Sequence, residues 1–327
     1  MWLICVILLS PHWAGEPFTS PASPKPEFGA GLSAQEAKAG WIALYDGQTA
    51  YGWTDSTVSA GALSGGQSTS VLPNGKLKGE AVSGGQITIG DRVVLLEAGK
   101  FEQPVKSGHA EKIALGNGLR LKSLQFQPEE LKSAWNGRDL DGWKVIKHPK
   151  LADARQTRWT VSEGVLRATG GPGAIELEGQ YGNLILQVEV RMRAKLVNGG
   201  IFFRSIPGDF MNGYEAQLFN GCYQQDPAQP ARYSTGAIDD RLLARRLVSR
   251  DIEPFTMTVI AVGPHIATWV NGFQTVDWTD TRAAHANPRE GLRLEAGTLQ
   301  LQAHDPETDI EFHRVQIAEI TIVLSTA

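Results

Sequence analysis

Residues 298–305, Thr-Leu-Gln-Leu-Gln-Ala-His-Asp, alternate strictly. As an extended strand they set Gln300, Gln302 and His304 on one face and Leu299, Leu301 and Ala303 on the other. A sheet with one solvated face more often carries Thr, Lys or Glu at such positions, so a row of amides and an imidazole is a distinctive polar face. Tyr214-Glu215-Ala216-Gln217-Leu218 repeats the pattern, with Glu215 and Gln217 opposite Tyr214, Ala216 and Leu218. In residues 184–193, Leu184, Leu186, Val188, Val190 and Met192 alternate with Ile185, Gln187, Glu189, Arg191 and Arg193, which predicts a strand buried on one side. Further strands are predicted over 200–204, 255–262, 265–270 and 273–278, the last two joined at Asn271-Gly272, a strong hairpin signal. One helical pattern of one to two turns falls at 241–247.

The first third is patterned differently. Four prolines (17, 21, 24 and 26) make residues 16–30 an extended linker to a membrane or wall, or a disordered leader. Ser33-Ala34-Gln35-Glu36 is a capping box that predicts a short helix before Trp41. Tyr45-Asp46-Gly47 with Gly52-Trp53 then recurs as Trp135-Asn136-Gly137 with Gly142-Trp143, each copy holding four residues between its glycines. That recurrence suggests one structural unit used twice. Behind the first copy lie a Gly/Ser-rich stretch, 56–66, and strands predicted at 75–78, 86–89, 93–97, 112–115 and 119–126, enough for a small β-domain. The resulting division is a signal peptide over 1–15, a linker over 16–30, a reduced β-domain over 31–130 and a larger β-domain over 131–327. Many short strands separated by turns predict an all-β protein built as a two-sheet sandwich.

Composition narrows the function. A net charge of -4 offers no basic footprint, which argues against nucleic acid as a partner. With 36 Gly and 9 Trp the chain suits strands, turns and core or sugar-facing aromatics. The apolar run Trp2-Leu3-Ile4-Cys5-Val6-Ile7-Leu8-Leu9 is too short to span a bilayer but has the length of a signal-peptide core, so export to the medium, periplasm or cell envelope is expected. Cleavage would leave Cys222 without a partner, and no Cys-His signature marks it as a nucleophile. No zinc, Walker or dinucleotide fingerprint occurs, so no cofactor is expected. Asp277 and Asp280 carry the oxygens that a structural calcium would take, although a turn cap or solvated hairpin end is the favoured reading.

Chemistry concentrates on the two polar strand faces. Amides that donate and accept together suit sugar hydroxyls, and a histidine among them can move a proton. Glu215 beside Gln217 fits an acid/base next to a sugar anchor, and it fits a structural ion pair with an arginine as well. Arg204, following Asn198-Gly199-Gly200-Ile201-Phe202-Phe203, can polarise an oxygen or hold a carboxylate.

These segments together resemble the 3-keto-disaccharide hydrolase family, whose members have a concanavalin/laminarin-G-like jelly roll. The likeness spans residues 131–320. It rests on Trp135-Asn136-Gly137-Arg138-Asp139-Leu140-Asp141-Gly142-Trp143, Trp159-Thr160-Val161 with Gly164-Val165-Leu166, and Asn198-Gly199-Gly200-Ile201-Phe202-Phe203-Arg204. Gly213-Tyr214-Glu215-Ala216-Gln217, Thr235-Gly236-Ala237-Ile238, Trp269-Val270-Asn271-Gly272, Leu301-Gln302-Ala303-His304-Asp305-Pro306 and Ile310-Glu311-Phe312 complete it. The chain departs from the family pattern at Phe219, Asp239-Asp240 and His313-Arg314. The resemblance implies a concanavalin-like jelly-roll β-sandwich with a smaller N-terminal β-domain, and cleavage of an oligosaccharide or glycoside by C2 proton abstraction, elimination and hydration. It implies Glu215 or His304 as the base and Arg204 as stabiliser of the keto oxygen, with Gln217, Gln300, Gln302, Trp269 and Asp239 holding the sugar. A carbohydrate-binding or adhesion module of the same fold, without catalysis, is the alternative.

Overall fold

In the computed structural model, which describes residues 18–21, 27–106, 110–149 and 156–322, the recurring motif forms the same knot twice. Asp46 Oδ1 accepts the backbone N–H groups of Gln48 and Thr49, and Asn136 Oδ1 accepts those of Arg138 and Asp139. These are Asx turns, which a short side-chain oxygen closes on the following backbone. The glycines take left-handed φ at matching places: 80° and 81° at Gly47 and Gly52, 74° and 80° at Gly137 and Gly142. Each tryptophan then folds back to donate to the carbonyl nine residues earlier, Trp53 Nε1 to Leu44 at 2.6 Å and Trp143 Nε1 to Ala134 at 3.0 Å.

The strands that follow confirm the duplication. The first unit runs β1 (Ile42–Ala43), β2 (Trp53–Thr54), β3 (Thr57–Ser59), β4 (Ala62–Ser64), β5 (Gln67–Ser68), β6 (Gly75–Ser83), β7 (Gly85–Ile89), β8 (Arg92–Leu96), β9 (Gly99–Val105), β10 (Ile113–Leu115) and β11 (Arg120–Pro128). The second runs β12 (Lys132–Ser133), β13 (Trp143–Lys147), β14 (Arg158–Ser162), β15 (Val165–Thr169), β16 (Gly173–Leu177), β17 (Leu184–Met192) and β18 (Gly199–Ser205). It continues with β19 (Tyr214–Leu218), β20 (Pro254–Val262), β21 (His265–Val270), β22 (Phe273–Thr279), β23 (Thr298–Ala303) and β24 (Asp309–Glu319). The first unit's sheets are ordered β3-β4-β11-β6-β9, with β1 beside β11, and β2-β5-β10-β7-β8. The second unit's are β14-β15-β24-β17-β20-β21-β22, with β12 beside β24, and β13-β16-β23-β18-β19. Removing the β21–β22 hairpin makes the two orders correspond strand for strand. The protein is therefore all-β, and its smaller N-terminal unit repeats the sandwich of the larger one.

Local signals explain most elements. Helix α1 (Ala34–Lys38) has both reciprocal bonds of the capping box between Ser33 and Glu36. Asn271 and Gly272 both take positive φ, as the two-residue turn joining β21 to β22 requires. Other expectations failed. The Gly/Ser-rich 56–66 segment, outside the expected strands, forms β3 and β4; β9, not among the expected strands, holds Pro104 in an edge strand whose outer backbone needs no partner. The helix expected over 241–247 is absent: Leu242 bridges to Ile238, and Arg245 donates to Gln274 O and Asp46, contacts that a helical turn would break. The signal peptide expected over 1–15 lies outside the described residues. Within the expected linker, Thr19 exchanges backbone bonds with Cys222, whose thiol is free and buried.

The expectation that residues 184–193 are buried on one side holds only for the second unit alone. Leu186, Val188 and Val190 enter its sandwich core with Ile201, Leu301 and Phe312, whereas Ile185, Ile260, Ala267 and Trp269 on the opposite face join the core of the first unit. The first unit thus covers the outer face of the larger sheet. Polar bonds fix the junction: Gln187 Nε2 donates to Gly40 O at 2.7 Å, Arg245 Nη1 to Asp46 Oδ2 at 2.7 Å and Trp269 Nε1 to Ala43 O at 3.0 Å. Trp269, 1% exposed, therefore seals this junction rather than holding sugar, because its position in β21 turns it away from the sandwich interior. Trp269→Ala is expected to cost about 3–5 kcal/mol by opening a cavity and orphaning the Ala43 carbonyl, measured as a fall in Tm that exceeds that of Trp269→Phe.

Candidate functional site

Two rows of side chains cross the sheet β13-β16-β23-β18-β19 on the face away from the core. Pairing aligns Ala174 with Gln302, Gly200 and Gln217, and Glu176 with Gln300, Phe202 and Glu215. The alternation in β19 and β23 is the one expected, with Leu299, Leu301, Tyr214, Ala216 and Leu218 in the core. Strand β23 ends at Ala303, so His304 stands just beyond it, its N–H on Asn198 O. Gly200 makes room here: a Cβ at that position would come within 2.3 Å of Glu215 Oε1, so the carboxylate as held by Arg289 lies across a position without a side chain.

The amides sit deeper than a sugar-lined surface would have them. Gln300 Nε2 donates to Glu176 Oε2 and to Asp209 O, and Glu176 also accepts from Thr298 and from the N–H of Gly208. Gln217 Oε1 accepts the Leu218 N–H. Gln302 has no hydrogen-bond partner at either amide atom, nor does Gln300 at Oε1, although both residues are fully buried. Unpaired buried amides are costly, so the Gln302 amide stands out in this row for its unused donor and acceptor.

At the β19 end, Glu215, Arg289, Asp239 and His304 form one charged cluster. Arg289 Nη2 donates to Glu215 Oε2 at 2.7 Å and Nη1 to Asp239 Oδ2 at 2.8 Å, while Nε holds Met211 O and the guanidinium lies 5.4 Å from the Phe202 ring centroid. Burial pushes the Glu215 carboxyl up to about 7; the Arg289 charge opposes the shift, Asp239 adds to it, and His304 pulls the other way. A short 2.6 Å contact with Asp305 raises the His304 pKa above its ordinary value against the effect of burial, with smaller contributions from Glu215 and Asp239. The cluster therefore holds a carboxyl able to give or take a proton near neutrality, an imidazole biased toward its protonated form, and an unpartnered acceptor at Asp239 Oδ1. The side chain of His304 is 41% exposed, which makes it the most open of these four groups.

Arg204 is not part of this cluster. It is fully buried, with φ +49° at a bulge where the β18–β23 register shifts, and donates to Gly182 O, Gly263 O, Arg293 O and Asn183 Oδ1. Burial lowers its pKa to about 10. Arg204 thus ties separate loops together through their carbonyls, and the guanidinium beside Glu215 belongs to Arg289. Arg289 lies in the irregular segment between β22 and β23, where no periodicity marks it. The signal that could have found it was the buried carboxylate itself, which calls for a cation. Glu176 was also missed, being one acidic position in an otherwise apolar strand. The expected calcium oxygens are committed to protein donors: Asp280 accepts from Arg282 and Tyr214, and Asp277 meets His265 and Thr69. Among the described residues no three His, Cys, Asp or Glu side chains converge as a metal site. Arg204→Met is expected to lower stability by about 3 kcal/mol or more, since charge-assisted bonds to several buried carbonyls are lost; thermal melting should show a larger fall than for Glu215→Gln.

Comparison with known proteins gives three results. No curated protein matches the chain significantly. Among solved structures, a protein of Parabacteroides distasonis ATCC 8503 described as a "putative glycosyl hydrolase" is 19% identical, with 58% of this chain and 94% of that chain covered and a TM-score of 0.47. The carbohydrate-binding module CBM66 of Bacillus subtilis is 11% identical, covering 54% of this chain and 96% of that chain at a TM-score of 0.38. Residues 130–318, which contain both polar rows and the whole charged cluster, match the family described as 3-keto-alpha-glucoside-1,2-lyase-like domain, and the chain belongs to that family.

Proposed function

We propose that the second unit cleaves 3-keto-disaccharides or related 3-keto-glycosides by elimination and hydration, with Glu215 as the base and His304 as the acid. The observation that carries this reading is the meeting at one site of a buried carboxyl, held by Arg289 at 2.7 Å and with its pKa raised to about 7, and a more open histidine that Asp305 holds at 2.6 Å and whose pKa Asp305 raises. In a 3-keto sugar the ketone acidifies the C2 hydrogen. Glu215 takes that proton and the C2–H electrons form the C2=C3 enolate, whose oxygen needs a hydrogen-bond donor. Collapse of the enolate re-forms the ketone, creates the C1=C2 double bond and breaks the C1–O bond, while His304 gives its proton to the departing oxygen. Water then adds across C1=C2, its hydroxyl to C1 and a proton to C2, and yields the 3-keto sugar.

Arg289 holds Glu215 in place for this step, and Asp239 Oδ1 and the Gln302 amide are the groups offered to sugar hydroxyls. Glu215 and His304 carry the proton transfers, and the elimination does not call on the paired carboxylates of an ordinary glycosidase. The apolar run at residues 2–9 supports export to the medium or cell envelope as part of the same proposal.

Glu215 must be ionised to accept a proton, so kcat/KM should rise with pH through about 7. His304 must be protonated to donate one, so the rate should fall again once pH passes its raised pKa. Glu215→Gln and His304→Ala should each lower turnover of a 3-keto-disaccharide by about 10²-fold or more, followed by release of reducing sugar. The competing reading, a binding module without catalysis, draws its support from the unpartnered Gln302 amide. Sugar binding by the wild type with no product release at any pH between 5 and 9 would establish that reading and end the catalytic one.

A further inference from the structure

The Arg289 fork is divided between two carboxylates that come from adjacent backbone. The Asp239 N–H donates to Glu215 O at 3.0 Å, which fixes the two residues side by side, and the side chains then take separate nitrogens of the same guanidinium at 2.8 and 2.7 Å. An isolated Arg–carboxylate pair prefers both parallel bonds to one partner. Here Glu215 is engaged through Nη2, while Nη1 goes to Asp239 and Nε to Met211 O. The groups facing Glu215 can be named from each neighbouring element: Arg289 from the β22–β23 segment, Asp239 from the turn after Ile238, His304 with Asp305 behind it from the end of β23, and the uncharged Phe202, Gly200 and Gln300 from β18 and β23. Glu176 lies in the same row but is spent on Thr298, Gln300 and Gly208.

We propose that Asp239 is a positioning residue acting through Arg289: by occupying one arm of the guanidinium fork it keeps Glu215 weakly paired and able to exchange a proton. This rests on the reading of Glu215 as the proton acceptor, and it assigns Asp239 a function besides any contact of its free Oδ1 with sugar. Physically, a second negative charge beside Glu215 disfavours ionisation of Glu215, and a shared cation stabilises the carboxylate less than an exclusive one. Both effects add to burial, the largest cause, in raising the proton affinity of the base.

The test is the titration of Glu215 in the ligand-free full chain, followed by carboxyl-carbon NMR on isotopically labelled protein and assigned with Glu215→Gln. In Asp239→Asn the midpoint should fall by about one unit, and the acidic limb of kcat/KM against pH should move with it, since both report the same group in the free protein. Asp239→Ser should shift the midpoint in the same direction, guarding against an effect peculiar to the asparagine amide. Asp240→Asn, which alters the neighbouring exposed carboxylate paired with Arg232, should leave the midpoint unchanged. A KM increase without any shift of midpoint or acidic limb would reduce Asp239 to a sugar contact and overturn the proposal. An unmoved or raised midpoint in both folded Asp239 variants would overturn it as well. If the midpoint shifts as expected and the wild type turns over no 3-keto-glycoside, the coupling stands and the catalytic reading falls.

Discussion

A carboxylate withdrawn from water must either hold its proton or find a cation, and Glu215 is placed between those two outcomes. It is 3% exposed and lies across Gly200, with one oxygen on a guanidinium that it does not own outright. Much around the site follows from that constraint. The segment between β22 and β23 must deliver Arg289, so it is anchored by Arg282 on Asp280, by Tyr214 on the same carboxylate and by Asn287 on its own Arg289 N–H. The turn after Ile238 must deliver Asp239, and a backbone bond to Glu215 does so. A fully relaxed ion pair would be more stable and chemically inert; the shared one leaves a proton free to move.

The duplication covers the larger sandwich on the sheet opposite the one that carries the cluster. Both units are built on the same Asx-turn and tryptophan knot, and their strand orders agree apart from the β21–β22 hairpin. That hairpin carries Trp269, which the first unit covers. In the first unit the strands matching β18 and β19 are β7 and β8, where Val93 and Leu95 are exposed and no buried acid occurs. The repeated sandwich has therefore kept its architecture while one copy carries the polar rows and the other closes the outer face of its neighbour. Activity in such a fold belongs to the site rather than to the scaffold.

The expected and observed residues diverge for a consistent reason. Glu215, Gln217, Gln300 and Gln302 lie on strands whose alternation fixes their face, and the structure brings them into adjacent rows. His304 joins them because it follows β23 directly, and Asp239 because its turn follows Ile238, which bridges to Ala216 of β19. Arg204 and Trp269 also lie at strand positions, yet one is consumed by loop carbonyls at a bulge and the other faces a second unit. Neither the bulge nor the covering unit leaves a local trace in the residues around them. Arg289 shows the converse, a residue in an irregular segment that the fold carries to the centre of the site.

By itself the sequence determined what depends on near neighbours: the strands with a polar face, the capping box, the Asn-Gly hairpin and the recurrence of the Gly-Trp knot. Backbone geometry ties each of these to a period of two or to a turn of a few residues, so the information is complete within a short window. The tertiary structure alone decided which arginine meets Glu215, which tryptophan is hidden between the units and how far the glutamines are covered. Those outcomes depend on groups brought together across many residues, where burial and charge pairing act through space and leave no periodicity along the chain.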